Sequence, residues 1–126
     1  MREKPRDKER LNHMIEAIDN IFEFTNGKSF DVYRSDKMLR FAVIKNIEIV
    51  GEAAYLLTKE FKINHPSIEW EDMIGMRHIL VHGYYQIKDE IIWATIETEN
   101  YFLACWLLTP APARLHRVAF SLAKLR

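Results

Sequence analysis

Apolar positions recur at steps of three and four along most of the chain, the period of an α-helix rather than the alternation of a strand. Leu11, Met14, Ile15, Ile18, Ile21 and Phe22 form the first such face, and Gly27 follows as a stop, which predicts a helix over about residues 6–26. The segment "KSFDVYRSD" reads as a connector with room for one short turn, and Ser35 or Asp36 is placed to cap the next helix.

The segment after this connector is the most regular. Leu39, Val43, Ile47, Val50, Ala54, Leu57 and Phe61 alternate steps of four and three, which predicts one continuous helix of about 26 residues. Phe41, Ile44, Ile49 and Ala53 widen its stripe enough to contact more than one neighbour. After Pro66, Ser67 is placed to cap a third helix through "IEWEDMIGMRHILVH", which Gly83 stops. "KDEIIWATIETENYFLACWLL" predicts a fourth helix, and "RLHRVAFSLAKLR", beyond Pro110 and Pro112, a short last one. With no alternating pattern, repeat or low-complexity stretch, the expectation is an all-α fold, an up-and-down helical bundle of four to five helices in one domain over 1–126.

Composition narrows the class. Apolar residues at 48% and charged residues at 29% give a folded globular balance, and 126 residues suffice for a single core. Lys plus Arg and Asp plus Glu both number 18, so net charge points to no partner class. The tail from Tyr101 carries Arg114, Arg117, Lys124 and Arg126 and no acidic residue, a pattern that a phosphate-binding surface and an ordinary solvated helix share. Cys105, alone and inside "YFLACWLL", reads as a buried inert thiol in a reducing compartment. That run is far shorter than the ~20 residues of a membrane span, so a cytoplasmic location without membrane contact is expected.

Chemistry concentrates in "GMRHILVHGYY", where Arg77, His82 and Tyr84 flank an apolar run. A step of five residues turns an ideal helix through ~500°, leaving Arg77 and His82 ~140° apart. They converge only if the helix unwinds near Gly83 or if a second subunit completes a site. Otherwise Arg77 pairs with a surface carboxylate and His82 favours the negative end of the helix dipole. As a group, the three suit phosphodiester transfer on RNA. Histidine moves protons near neutral pH. The arginine fork holds phosphate through two hydrogen bonds. Tyrosine can stack on a base.

These residues also resemble the R-x4-H-x-Y motif of HEPN domains, in particular the HepT-type toxins encoded beside minimal nucleotidyltransferases. The similarity runs over about residues 8–98 and includes "NIEIVGEA" and "IEWEDMIGMR". It implies a helical bundle that forms a homodimer, with motif residues of two subunits lining one cleft. It further implies a metal-independent endoribonuclease toxin acting on RNA without a cofactor, neutralised by a cognate minimal nucleotidyltransferase antitoxin that transfers AMP to the motif tyrosine. Arg77 and His82 match the catalytic pair, and Tyr84 matches the modified residue. His78 stands where the family often has Asn, which leaves open which histidine does the proton work. The tail over about 100–126 departs from the family pattern.

Other candidates rank lower. Asn46, Glu48 and Glu52 fall outside the main stripe of the long helix. Glu52 is either an orienting carboxylate for Arg77 or His82, or part of a solvated face. His13, His65 and His116 lack companions at metal-ligand spacing, and neither H-E-x-x-H nor C-x-x-C occurs. No Gly-rich phosphate loop is present, so the chain is not expected to act as a nucleotidyltransferase itself. Met38, Met73 and Met76 read as core filler. The alternative function is a non-catalytic helical partner and regulatory subunit of a nucleotidyltransferase.

Overall fold

A computed structural model of the chain describes residues 3–66 and 68–97, and every regular element in them is helical. Helix α1 spans Glu3–Thr25, and Gly27 follows at φ 72°, the left-handed conformation that a glycine stop supplies. The connector holds a short helix, α2 (Phe30–Ser35), begun by the Ser29 side chain accepting from the Val32 amide. Asp36, one of the two expected caps, opens α3 (Lys37–Leu56) by accepting from the Leu39 amide at 3.0 Å.

The long helix predicted from Leu39 through Phe61 is divided. α3 stops at Leu56, Leu57 and Thr58 adopt extended backbone, and α4 (Lys59–Asn64) starts afresh. A distant residue makes the break. Asp7 of α1 accepts from the Thr58 amide at 2.9 Å and from its hydroxyl at 2.7 Å, while Thr58 Oγ1 caps the Phe61 amide. The apolar period runs through the break because Leu57 and Phe61 still pack on the core on either side of it.

Helix α5 (Trp70–Gly83) begins two residues later than expected, anchored by the Trp70 indole donating to the His65 carbonyl at 3.1 Å. The proposed cap Ser67 lies outside the described residues. Gly83 does end the helix, but the chain winds on into a 3₁₀ turn, Tyr84–Gln86, rather than through a left-handed residue. Helix α6 (Asp89–Glu97) follows. The rest of the predicted fourth helix, the predicted last helix, Cys105 and the basic tail lie outside the described residues. The all-α expectation holds, and the described residues form four longer helices and two six-residue ones.

α3 is the central element, packed on α1 along one side and α5 along another. Val43, Ile47, Val50 and Ala54 of α3 are buried against Met14, Ile18 and Ile21 of α1 and Met73 and Leu80 of α5. Asn46 joins this interior rather than the solvent, taking a hydrogen bond from the Asn20 amide at 3.1 Å and donating to the Ala42 carbonyl. Of the methionines read as filler, Met73 is buried and Met76 packs partly, but Met38 is 83% exposed. Met38 occupies the first turn of α3, where its neighbour Leu39 takes the inward direction.

The α3–α5 contact depends on Gly51. A Cβ there would collide with the Arg77 side chain and lie 2.6 Å from the Met73 carbonyl oxygen. A second cluster joins α2 to α6, where Tyr33 packs its ring 5.3 Å from Trp93, with Phe30 at 6.1 Å from the same indole. The Tyr33 hydroxyl is buried without a hydrogen-bond partner among the described residues. Burial first, and the Asp89 carboxylate second, push this phenol well above the ordinary tyrosine range.

Candidate active site

Helix α5 carries the candidate residues on two adjacent strips. Residues four apart on a helix differ by only ~40°, so Arg77 pairs with Val81 on one strip and His78 with His82 on the next. Arg77 and Val81 face a cleft of about 250 Å³ between α1, α3 and α5. His78 and His82 are exposed, their ring centroids 4.6 Å apart and their planes inclined at 52°. Arg77 to Val81, His78 and His82 covers an arc of ~140°, and α5 stays helical through Gly83. Unwinding therefore does not bring Arg77 to His82, and no hydrogen bond, ion pair or ring contact joins them among the described residues.

Arg77 turns toward α3. Its Nε lies 2.6 Å from Glu52 Oε2, an ion pair between half-exposed side chains. Glu52 therefore lies at Arg77 and not at His82, with nearly half of its side chain still exposed to solvent. The contact is coulombic: Glu52 Oε2 accepts no hydrogen bond among the described residues, and the Arg77 donors make none there. That leaves a cation drawn toward α3 whose guanidinium makes no hydrogen bond among the described residues and can donate to an anion. Tyr84 follows in the 3₁₀ turn, one residue past the end of α5, and its neighbour Tyr85 is 73% exposed.

Sequence reasoning missed three residues of the cleft: Arg10 and His13 on α1, and Lys45 on α3. The signal was there for Arg10. It falls in the step of the buried stripe Asp7, Met14, Ala17 and Ile21, where an apolar residue would be expected. His13 entered only as a histidine without metal-binding companions. Among the described residues no three His, Cys, Asp or Glu side chains gather as metal ligands do. No described helix is long and apolar enough to cross a membrane.

Comparison with known proteins bears on this arrangement. The family model described as "Ribonuclease HepT-like" matches residues 14–104. A Thermococcus cleftensis chain named as a ribonuclease HepT is 38% identical over 92 residues, 73% of this chain and 84% of that relative. A Methanocaldococcus jannaschii chain named as an RNase is 32% identical over 89 residues, 71% of this chain and 82% of that one. A third, from Caldanaerobacter subterraneus and also named as an RNase, is 36% identical over 89 residues, covering 71% and 80%. No solved structure gives a significant match.

Proposed function

Because this chain belongs to the HepT-like ribonuclease family, we propose that it is an endoribonuclease in which Arg77 holds the scissile phosphate and His82 moves the proton. The observation that carries this reading is Arg77 at the cleft, charge-paired with Glu52 and with no hydrogen bond from its guanidinium among the described residues. The His78–His82 pair supplies two imidazoles within one turn of the same helix. In the reaction, His82 removes the proton from a ribose 2′-OH. The 2′ oxygen attacks the adjacent phosphorus, and the bond to the 5′ oxygen breaks as that oxygen takes a proton from an imidazolium. The products are a 2′,3′-cyclic phosphate and a 5′-OH, and Arg77 offsets the charge that builds on the phosphorane. No step requires a metal ion.

The divergence of Arg77 from His82 on an unbroken helix supports a two-fold homodimer in which each site draws on both copies. Family membership supports a toxin–antitoxin role in the cytoplasm, with a minimal nucleotidyltransferase as antitoxin. Control would act at Tyr84, where transferred AMP would set a phosphate beside the Arg77 fork and repel the RNA backbone.

The test is cleavage of single-stranded RNA by the purified chain in EDTA. We expect cyclic-phosphate ends, and a loss of ~10²-fold or more in Arg77→Ala and in His82→Ala, the lower range for a general acid or base. A folded wild-type chain that cuts no RNA would instead fit a non-catalytic partner of a nucleotidyltransferase. Incubation with that enzyme and ATP should add the mass of AMP at Tyr84, not in Tyr84→Phe, and abolish cleavage. Modification elsewhere with activity retained would refute the control scheme.

A further inference from the structure

The cleft that receives Arg77 has a composition its ion pairs do not exhaust. Two carboxylates line it, and each has a cation within reach: Glu52 with Arg77 at 2.6 Å and Glu48 with Lys45 at 3.9 Å. Arg10, half-buried at the α1 wall, has no ion-pair partner among the described residues. His13, one turn along α1, lies on the same wall. The cleft therefore carries one cation more than its carboxylates neutralise, with an imidazole next to it. Its remaining surface is aliphatic, from Ile49 and Leu56 of α3 and Val81 of α5.

Cations from all three helices, interspersed with aliphatic surface from α3 and α5, match a nucleotide, which presents both a charged phosphate and a flat apolar face. The size decides how much of one. At about 250 Å³ the cleft falls below the ~300–1,000 Å³ of small-molecule pockets, so it has room for one nucleotide unit and not a dinucleotide cofactor. Val81 borders both the cleft and the His78–His82 strip, so a strand leaving the imidazoles passes over Val81 into it.

We propose that this cleft is a subsite for a nucleotide of single-stranded RNA next to the cleaved bond, with Arg10 as its phosphate contact and the Ile49, Leu56 and Val81 surface as its base seat. Lys45 supports the phosphate from the α3 side, and His13 places an imidazole beside Arg10 on the α1 wall. The inference rests on the ribonuclease reading, which places the scissile phosphate at Arg77. It adds a second phosphate contact on α1, a helix outside the sequence motif.

The experiment measures RNA binding in His82→Ala, which holds the strand uncut, with and without Arg10→Ala, as a function of salt. Cleavage by the otherwise wild-type chain is followed in parallel. Loss of one phosphate contact should weaken binding and lower the slope of log affinity against log salt by about 0.7, the value for single strands. Val81→Ala should weaken binding while leaving the slope unchanged, as an apolar base seat requires. An unchanged affinity and slope in Arg10→Ala, with wild-type cleavage intact, overturns the subsite and leaves the ribonuclease reading standing. Dissociation of a dimer in Arg10→Ala without a slope change assigns the cleft to the second copy and also overturns it. A wild-type chain that neither binds nor cuts RNA overturns both readings.

Discussion

Arg77 Nε meets Glu52 Oε2 at 2.6 Å across the α3–α5 contact, beside the glycine that lets the two helices approach. Both side chains keep substantial exposure, so the pair contributes little to stability; its consequence is direction. The pair holds the Arg77 charge at the α3–α5 side of the cleft that Arg77 lines.

Removing Glu52 should therefore weaken function more than folding. Glu52→Ala is expected to raise KM for RNA and lower kcat/KM by ~10–100-fold, the cost of misplacing a substrate-holding group. Glu52→Gln keeps the size of the side chain but not its charge, and should recover little of the loss because the pairing is coulombic. Equal activity in all three chains would show that Arg77 needs no carboxylate to position it.

Mixing two dead variants tests the composite site. If each site joins Arg77 of one copy to His82 of the other, Arg77→Ala and His82→Ala chains combined in equal amounts should regain activity. Half the dimers would be mixed, each with one intact site of two, giving about a quarter of wild-type activity. No recovery after verified subunit exchange would place both residues of each site on one chain.

Gly51→Ala should destabilise the protein by about 1–3 kcal/mol in chemical denaturation, the usual cost of overpacking. The added methyl meets the Met73 carbonyl, which is backbone and cannot rotate away. The Arg77 side chain would also be displaced, so the stable fraction should still lose cleavage activity.

The neutral phenol of Tyr33, which has no hydrogen-bond partner among the described residues, links stability to alkaline pH. Its folded pKa is raised above the unfolded value of about 10. The stability it contributes is thus fully present below pH 10 and is lost as pH rises beyond that, because only the unfolded chain ionises readily. Tyr33→Phe should remove this alkaline sensitivity. At neutral pH it should be neutral or stabilising, since a buried hydroxyl without a partner costs about 1–3 kcal/mol. A destabilised Tyr33→Phe would mean that the hydroxyl has a partner.

Helix type and the core faces were legible in the sequence because they follow from period alone: Met14, Ile18 and Ile21 on α1, and Val43, Ile47 and Val50 on α3, are buried as their spacing predicts. Asp36 and Gly27 were legible because capping is local. The division of the long helix was not, because Thr58 is turned by Asp7, 51 residues away, and no window of sequence contains both. The same limit applies to the site. Motif spacing nominated Arg77 and His82 as candidates and anticipated their divergence on the helix. The Arg77–Glu52 pair and the place of Arg10 and Lys45 in one cleft depend on how three helices pack.

The Asp7–Thr58 hydrogen bonds also have a kinetic meaning. They close a chain segment of 51 residues, so they form only after α1 has docked and the entropy of that closure has been met. Before then, nothing local obliges the chain to turn at Leu57, and α3 is free to propagate toward Phe61. We expect the bend to form late in folding, on the native side of the barrier. Changes at Thr58 should accelerate unfolding and leave the folding rate nearly untouched, so this junction governs how long the folded molecule lasts rather than how quickly it forms.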